Sequence, residues 1–189
     1  FIQPELATDK HKFTENLSTL ERELQRSKDE FIKEHCAKYG KEGYPPAWKI
    51  LELASFGCLT KLYFNFADTG IKKKIARSYG VPQHEMLESW MKAVNALRNA
   101  CAHHERIWNR AMPVIPQLPG TLRNAWIADK PQMTNRFYAV FCCLIYWLNA
   151  IEPKNTLVQD FKSLLQEFPN VDTTAMGFTT NWKEDPFWL

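Results

Sequence analysis

The chain has 189 residues, 45% of them hydrophobic and 24% charged, a composition that fits one ordinary globular domain or two small ones and excludes a disordered or fibrous protein. Lysine and arginine number 24 against 21 acidic residues, a formal charge of +3, which excludes the polybasic tails that coat nucleic acid indiscriminately. The distribution says more: residues 1–35 carry 6 basic and 8 acidic groups, residues 36–151 carry 15 and 7, and residues 152–189 carry 3 and 6. The basic middle is compatible with a polyanion contacting it, and equally with a scattered solvated surface.

From Thr8 to Tyr39, Phe13, Leu17, Leu20, Leu24 and Phe31 recur at spacings of four and three, with Ser27 in the gap and Gly40 as a stop, which predicts one long amphipathic helix. Residues 1–44 are therefore read as an N-terminal helical segment, and a start at Phe1 suggests that something N-terminal is missing. Pro46 suits the first turn of a helix running to about Phe66, apolar on most of its circumference at Trp48, Leu51, Ala54, Cys58, Leu59, Leu62 and Tyr63. Asp68 can cap a short basic helix from Ile71 to Tyr79. Pro82 opens the next helix, with Leu87, Trp90, Met91, Val94, Leu97 and Cys101 along one side.

Between Arg110 and Pro131 stand Pro113, Pro116, Pro119 and Gly120, which predicts a long loop with one short turn near Leu122–Ile127. Thr134 can cap a very apolar helix to about Ile151, and an amphipathic helix follows from Thr156 to Phe168. The tail from Met176 to Trp188 is rich in aromatics. No strand, internal repeat or low-complexity segment is read. The expected architecture is all-α, with residues 45–189 as a single helical bundle that carries a long irregular loop after its motif helix.

The five cysteines (Cys36, Cys58, Cys101, Cys142 and Cys143) show no C-x-x-C spacing, so neither a disulfide framework nor a zinc ribbon is expected, and a reducing cytoplasm is the natural setting. The strongly apolar run Phe137–Leu148 is shorter than a membrane helix needs, so no membrane partner is expected. The glycines form no phosphate-cradling motif, and the adjacent His103 and His104 lack a partner cluster to complete a metal shell. No cofactor and no metal are expected. Cys101, on the apolar stripe, reads as a buried structural thiol.

What remains is Leu97-Arg98-Asn99-Ala100-Cys101-Ala102-His103-His104-Glu105-Arg106-Ile107-Trp108-Asn109-Arg110, dense in groups that hold phosphate or move protons. The bland reading is a helix-capping arginine followed by surface histidines. Arg98-Asn99 with His103, however, is similar to the R-x4–6-H signature of HEPN domains, and the longer run resembles the hallmark of the Abi-like (AbiD/AbiF) abortive-infection family. Pro45-Pro46-Ala47-Trp48, Ser55-Phe56-Gly57 and Tyr79-Gly80 upstream, and Met176-Gly177-Phe178 with Trp182 downstream, also resemble that family, so the likeness extends from about Pro45 to Trp188. Members of that family usually carry an additional N-terminal region, which is not seen in this sequence.

The resemblance implies a HEPN-like helical, metal-independent endoribonuclease of an antiviral defence system, working as a homodimer in which two Arg/His motifs face each other. On a regular helix His103 lies about 140° around from Arg98. The two can meet in one chain if the helix ends near Cys101, or across a two-fold axis in a pair. The expected chemistry is attack by a ribose 2′-hydroxyl on the adjacent phosphorus, with His103 exchanging protons and Arg98 neutralising charge on the phosphate oxygens. Asn99 can orient either group, and His104 is the alternative imidazole. Arg106, Asn109 and Arg110 are candidate RNA contacts, Trp108 can stack a base or pack in the core, and Lys72, Lys73 and Lys74 can extend the RNA path. An antitoxin or other regulatory partner, or a structured small RNA, is expected as a further option. Two other readings stay open: a catalytically silent RNA-binding or toxin-regulating module, and a helical interaction protein whose seam of Phe13, Leu17, Leu20, Leu24 and Phe31 pairs with another chain.

Overall fold

The computed structural model describes residues 2–40 and 44–189. Among them are eight α-helices: α1 (Lys10–Arg26), α2 (Glu30–Tyr39), α3 (Ala47–Leu53), α4 (Phe56–Asn65), α5 (Thr69–Ser78), α6 (His84–Ala102), α7 (Phe137–Ile151) and α8 (Leu157–Glu167). The described residues form no sheet; Ala7 and Phe66 make one isolated bridge. The fold is all-α, and none of these helices is long and apolar enough to cross a membrane. The chain divides into two compact units, Phe1–Lys72 and Lys73–Leu189.

In the first unit, Asp9 accepts hydrogen bonds from the His11 and Lys12 amides to start α1, the usual work of an N-cap carboxylate. The helix turns Phe13, Asn16 and Leu20 inward, and Leu20, Ile50, Ala54 and Cys58 make a core flanked by Leu17, Leu24, Leu51, Leu59 and Leu62. Asn65 ties the end of α4 to the start of α1: its side chain donates to the Asp9 carbonyl at 2.8 Å and accepts from the Asp9 amide at 2.9 Å.

Two long helices expected from periodicity are each broken. The Ser27 hydroxyl donates to the Asp29 carboxylate at 2.9 Å and accepts from the Asp29 amide at 3.1 Å, so local side-chain bonding competes with the helix ladder and separates α1 from α2. Ala54 leaves helical geometry, and Ser55 caps α4 by accepting from the Cys58 amide at 3.3 Å. Ser27, read as a gap filler, is the first break, and Ser55 is the second. Trp48, assigned to an inward face, is 67% exposed.

Asp68 caps α5 as expected, accepting from the Ile71 amide at 3.0 Å. Lys72 is buried. Its ammonium donates to the Phe64 carbonyl at 2.8 Å and stands 5.5 Å from the Tyr63 ring centre, so the stem covers apolar surface while the charge is satisfied by backbone.

In the second unit α7 is the central element, with Tyr138–Cys143 and Ile145–Trp147 buried, and it packs against α6. One aromatic group gathers Trp90 against Trp126, Tyr146 and Trp147 at 5.6 to 6.4 Å between ring centres. A second joins Tyr138 and Phe141 of α7 and Phe161 of α8 to Phe178, Trp182 and Trp188 of the tail. The aromatic tail is thus core: Trp188 is fully buried, and Lys162 donates to its carbonyl at 2.5 Å. Between α6 and α7 the chain is irregular, as the prolines require, and Leu122–Ile127, where a short turn is expected, bends at Arg123 and Asn124. Thr134 does not cap α7, which starts later with Arg136 at its edge, after the Arg136 amide has closed a turn onto the Met133 carbonyl at 3.3 Å. Gly80, at φ 73°, brings its carbonyl to the Tyr146 hydroxyl at 3.0 Å. A Cβ there would meet that oxygen at 2.5 Å.

Candidate functional site

The motif run begins on α6, whose inward line passes through Leu87, Trp90, Met91, Val94, Leu97 and Ala100. With Leu97 and Ala100 facing in, Arg98 and Asn99 fall on the outer surface and are exposed. The Arg98 guanidinium donates to the Asn99 side-chain oxygen at 3.3 Å. Asn99 lies one helical turn before His103, whose amide donates to the Asn99 carbonyl at 3.0 Å. Cys101, expected to be a buried thiol, is exposed, because the helix emerges from the core after Ala100.

The helix end has a defined form. His103 is the last cap residue, the His104 amide donates to the Cys101 carbonyl at 3.1 Å, and the Glu105 amide donates to the Ala100 carbonyl at 2.9 Å. That pair of bonds is a Schellman motif, which normally places glycine at the left-handed position. Here the position is His104, at φ 54°. Asn109 adopts φ 49°, and among the described residues these two are the non-glycine positions with positive φ. Glu105 and Arg110 form an ion pair that closes the loop between them. Trp108 is 43% exposed, and its indole N–H donates to the Asp172 carbonyl at 3.1 Å.

The structure therefore brings Arg98 to Asn99, places Asn99 one turn from His103, and commits Arg110 to Glu105. His103, His104, Arg106 and Asn109 are exposed. It does not put Arg98 and His103 on one face. Helix α6 runs through Ala102, so five residues separate the two side chains by about 140° around the axis and roughly 7.5 Å along it. The helix does not end early enough to swing His103 back. Of the three lysines, Lys73 and Lys74 are exposed and Lys72 is buried.

Sequence reading gave Glu105 no role and did not find Asp172, which lies 64 residues from its partner Trp108. The Asp172 carboxylate accepts from the Thr174 hydroxyl and, at 2.9 Å, from the Thr174 amide. Those hydrogen bonds hold its carboxyl below the usual carboxylate range. The Asp-x-Thr signal for such a turn is present locally, but nothing in it points to Trp108.

The sequence model of one family, described as Abi-like protein, matches residues 2–109. The match takes in α1 to α6 and the motif as far as Asn109. It begins earlier than the likeness read from the motifs, and it leaves Met176-Gly177-Phe178 and Trp182 outside. No curated protein and no solved structure matches the chain.

Proposed function

The chain belongs to the Abi-like protein family, a membership that suggests a role in abortive infection, and from that premise we propose that it is a HEPN-type endoribonuclease that cuts RNA without a metal ion. The observation that carries the reading is the concentration of backbone strain on the motif: His104 and Asn109 hold left-handed geometry, five residues apart and on either side of the exposed Arg106. Such strain is kept where the surrounding structure serves a site.

In this reading His103 takes the proton from a ribose 2′-hydroxyl. The freed oxygen bonds to the adjacent phosphorus, the P–O5′ bond breaks, and water returns a proton to the departing 5′-oxygen. The products are a 2′,3′-cyclic phosphate and a 5′-hydroxyl. Arg98, permanently charged and forked, neutralises the phosphorane oxygens, and Asn99 holds its orientation. His104 is the alternative imidazole. Arg106 and Asn109 contact flanking phosphates, and Lys73 and Lys74 extend the path. Because Arg98 and His103 of one chain face apart, the working site takes Arg98 from one protomer and His103 from its partner.

The test is incubation of the protein with end-labelled single-stranded RNA in excess EDTA. Fragments ending in cyclic phosphate, absent for Arg98→Ala and His103→Ala, support the reading. Binding without fragments would favour a silent RNA-binding or toxin-regulating module, the reading consistent with a motif that lies open on a single chain.

A further inference from the structure

Trp108 stands apart from the other tryptophans of its unit. Trp90, Trp147, Trp182 and Trp188 are buried and Trp126 is half-buried, whereas Trp108 is exposed to 43%. A large aromatic ring left in water is informative when it is also held still, and Trp108 is held from both sides. Its indole N–H is fixed to the Asp172 carbonyl at 3.1 Å, and that carbonyl belongs to a turn braced by the Asp172 carboxylate on Thr174. The loop that carries the ring is bracketed by His104 and Asn109 in left-handed geometry and closed by the Glu105–Arg110 pair. The N–H edge is occupied, so the surface the ring leaves in water is carbon. On the same short loop the exposed side chains include Arg106, His104 and Asn109, a cation and hydrogen-bonding groups.

A fixed, exposed aromatic ring beside a cation and hydrogen-bonding groups matches one chemistry closely: an unpaired nucleobase with its phosphate. We infer that Trp108 is the platform on which one base of single-stranded RNA stacks next to the scissile phosphate, and that Asp172 and Thr174 are positioning residues that hold the platform. The inference rests on the reading of the run as an RNA site and adds its substrate class. Stacking on a π-face is tolerant of base identity and requires a base free of its partner strand. The platform therefore selects unpaired RNA with little sequence preference. It also gives a role in binding to the Asp172 turn, which lies outside the family match.

The probe is a short 2′-O-methyl oligoribonucleotide, which lacks the free hydroxyl needed for cleavage, used single-stranded and as a duplex. Fluorescence of the wild-type protein minus that of Trp108→Phe isolates the signal of Trp108. Binding of the single strand is expected to quench that difference signal and to weaken about tenfold in Trp108→Ala, the scale of one base–aromatic stack, while duplex affinity stays the same. Thr174→Ala, which leaves the ring intact, is expected to lower the fluorescence anisotropy of Trp108 and to weaken single-strand binding several-fold. Unquenched Trp108 in a protein that binds the oligonucleotide overturns the platform and leaves the nuclease reading standing, and does so without requiring that Trp108→Ala fold. A change in self-association on Trp108→Phe with RNA affinity unaltered also overturns it, assigning the ring to a protein contact. A wild-type protein that neither binds nor cuts RNA removes both.

Discussion

Replacing His104 with glycine should make the protein more stable. His104 occupies the left-handed position of the Schellman motif that ends α6, at φ 54°, with its amide and that of Glu105 both bonded back to the helix. A Cβ in this conformation costs about 1 kcal/mol or a little more, and glycine returns some of that through its larger unfolded-state entropy, about 0.5 kcal/mol. The net gain is about 0.5–1 kcal/mol, which raises the melting temperature by about 1–4 °C for a chain of this size. His104→Ala removes the same imidazole and keeps the Cβ, so the difference between the two variants isolates the backbone. His103→Gly is the opposite control, since His103 sits at φ −95° and ψ 10°, where glycine gains nothing and loses entropy. Thermal and urea unfolding of the variants beside wild type settles the order. A glycine variant that melts at or below the alanine variant would refute the strain argument, and with it the observation on which the proposed site rests.

Gly80→Ala should destabilise by about 2 kcal/mol or more, because φ is 73° and the new Cβ would meet the Tyr146 hydroxyl at 2.5 Å; a variant with wild-type urea midpoint would show that the turn relaxes freely. Ser55→Ala should cost about 1 kcal/mol by removing the cap that separates α4 from α3, read from the same urea curves, and no loss would mean that the Glu23 carboxylate, 3.1 Å from the Ser55 amide, holds the break alone. Stability should fall as pH rises above about 9. Burial pushes the Cys58 thiol up to about 11 and the Tyr44 hydroxyl, which also donates to Glu21, up to about 12, and it raises Cys142, Cys143, Tyr138 and Tyr146. The folded chain thus keeps protons that the unfolded chain releases, so stability is complete below the unfolded thiol range and declines on the way to the folded values. An unfolding midpoint that is constant from pH 8 to pH 10.5 would contradict this.

The sequence carried the helical class well, because an apolar line such as Leu87, Trp90, Val94 and Leu97 repeats with the helix period and no segment alternates with period two. It misjudged continuity at Ser27 and Ser55, where side-chain hydroxyls engage the backbone within two or three residues. Periodicity weighs a single serine as a neutral gap, yet bonding of that kind ends a helix. Burial was misread at helix ends: Cys101 follows the apolar line but lies past the core, and Lys72 sits in a basic run but is buried against a carbonyl. The motif residues could be found from the ordered run Leu97–Arg110 and its likeness to the Abi-like family. Their arrangement could not, since the left-handed geometry of His104 and the 64-residue reach from Trp108 to Asp172 depend on the folded chain.

The proposed composite site is tested most directly by mixing two inactive proteins. Arg98→Ala and His103→Ala, each unable to cut RNA as a homodimer, should recover activity when allowed to exchange subunits, since the mixed dimer retains one site with Arg98 from one chain and His103 from the other. With half the dimers mixed and one of two sites intact in each, about a quarter of wild-type activity is expected. A mixture no more active than its two components, under conditions where exchange is verified and wild type cuts, would contradict a site shared between protomers.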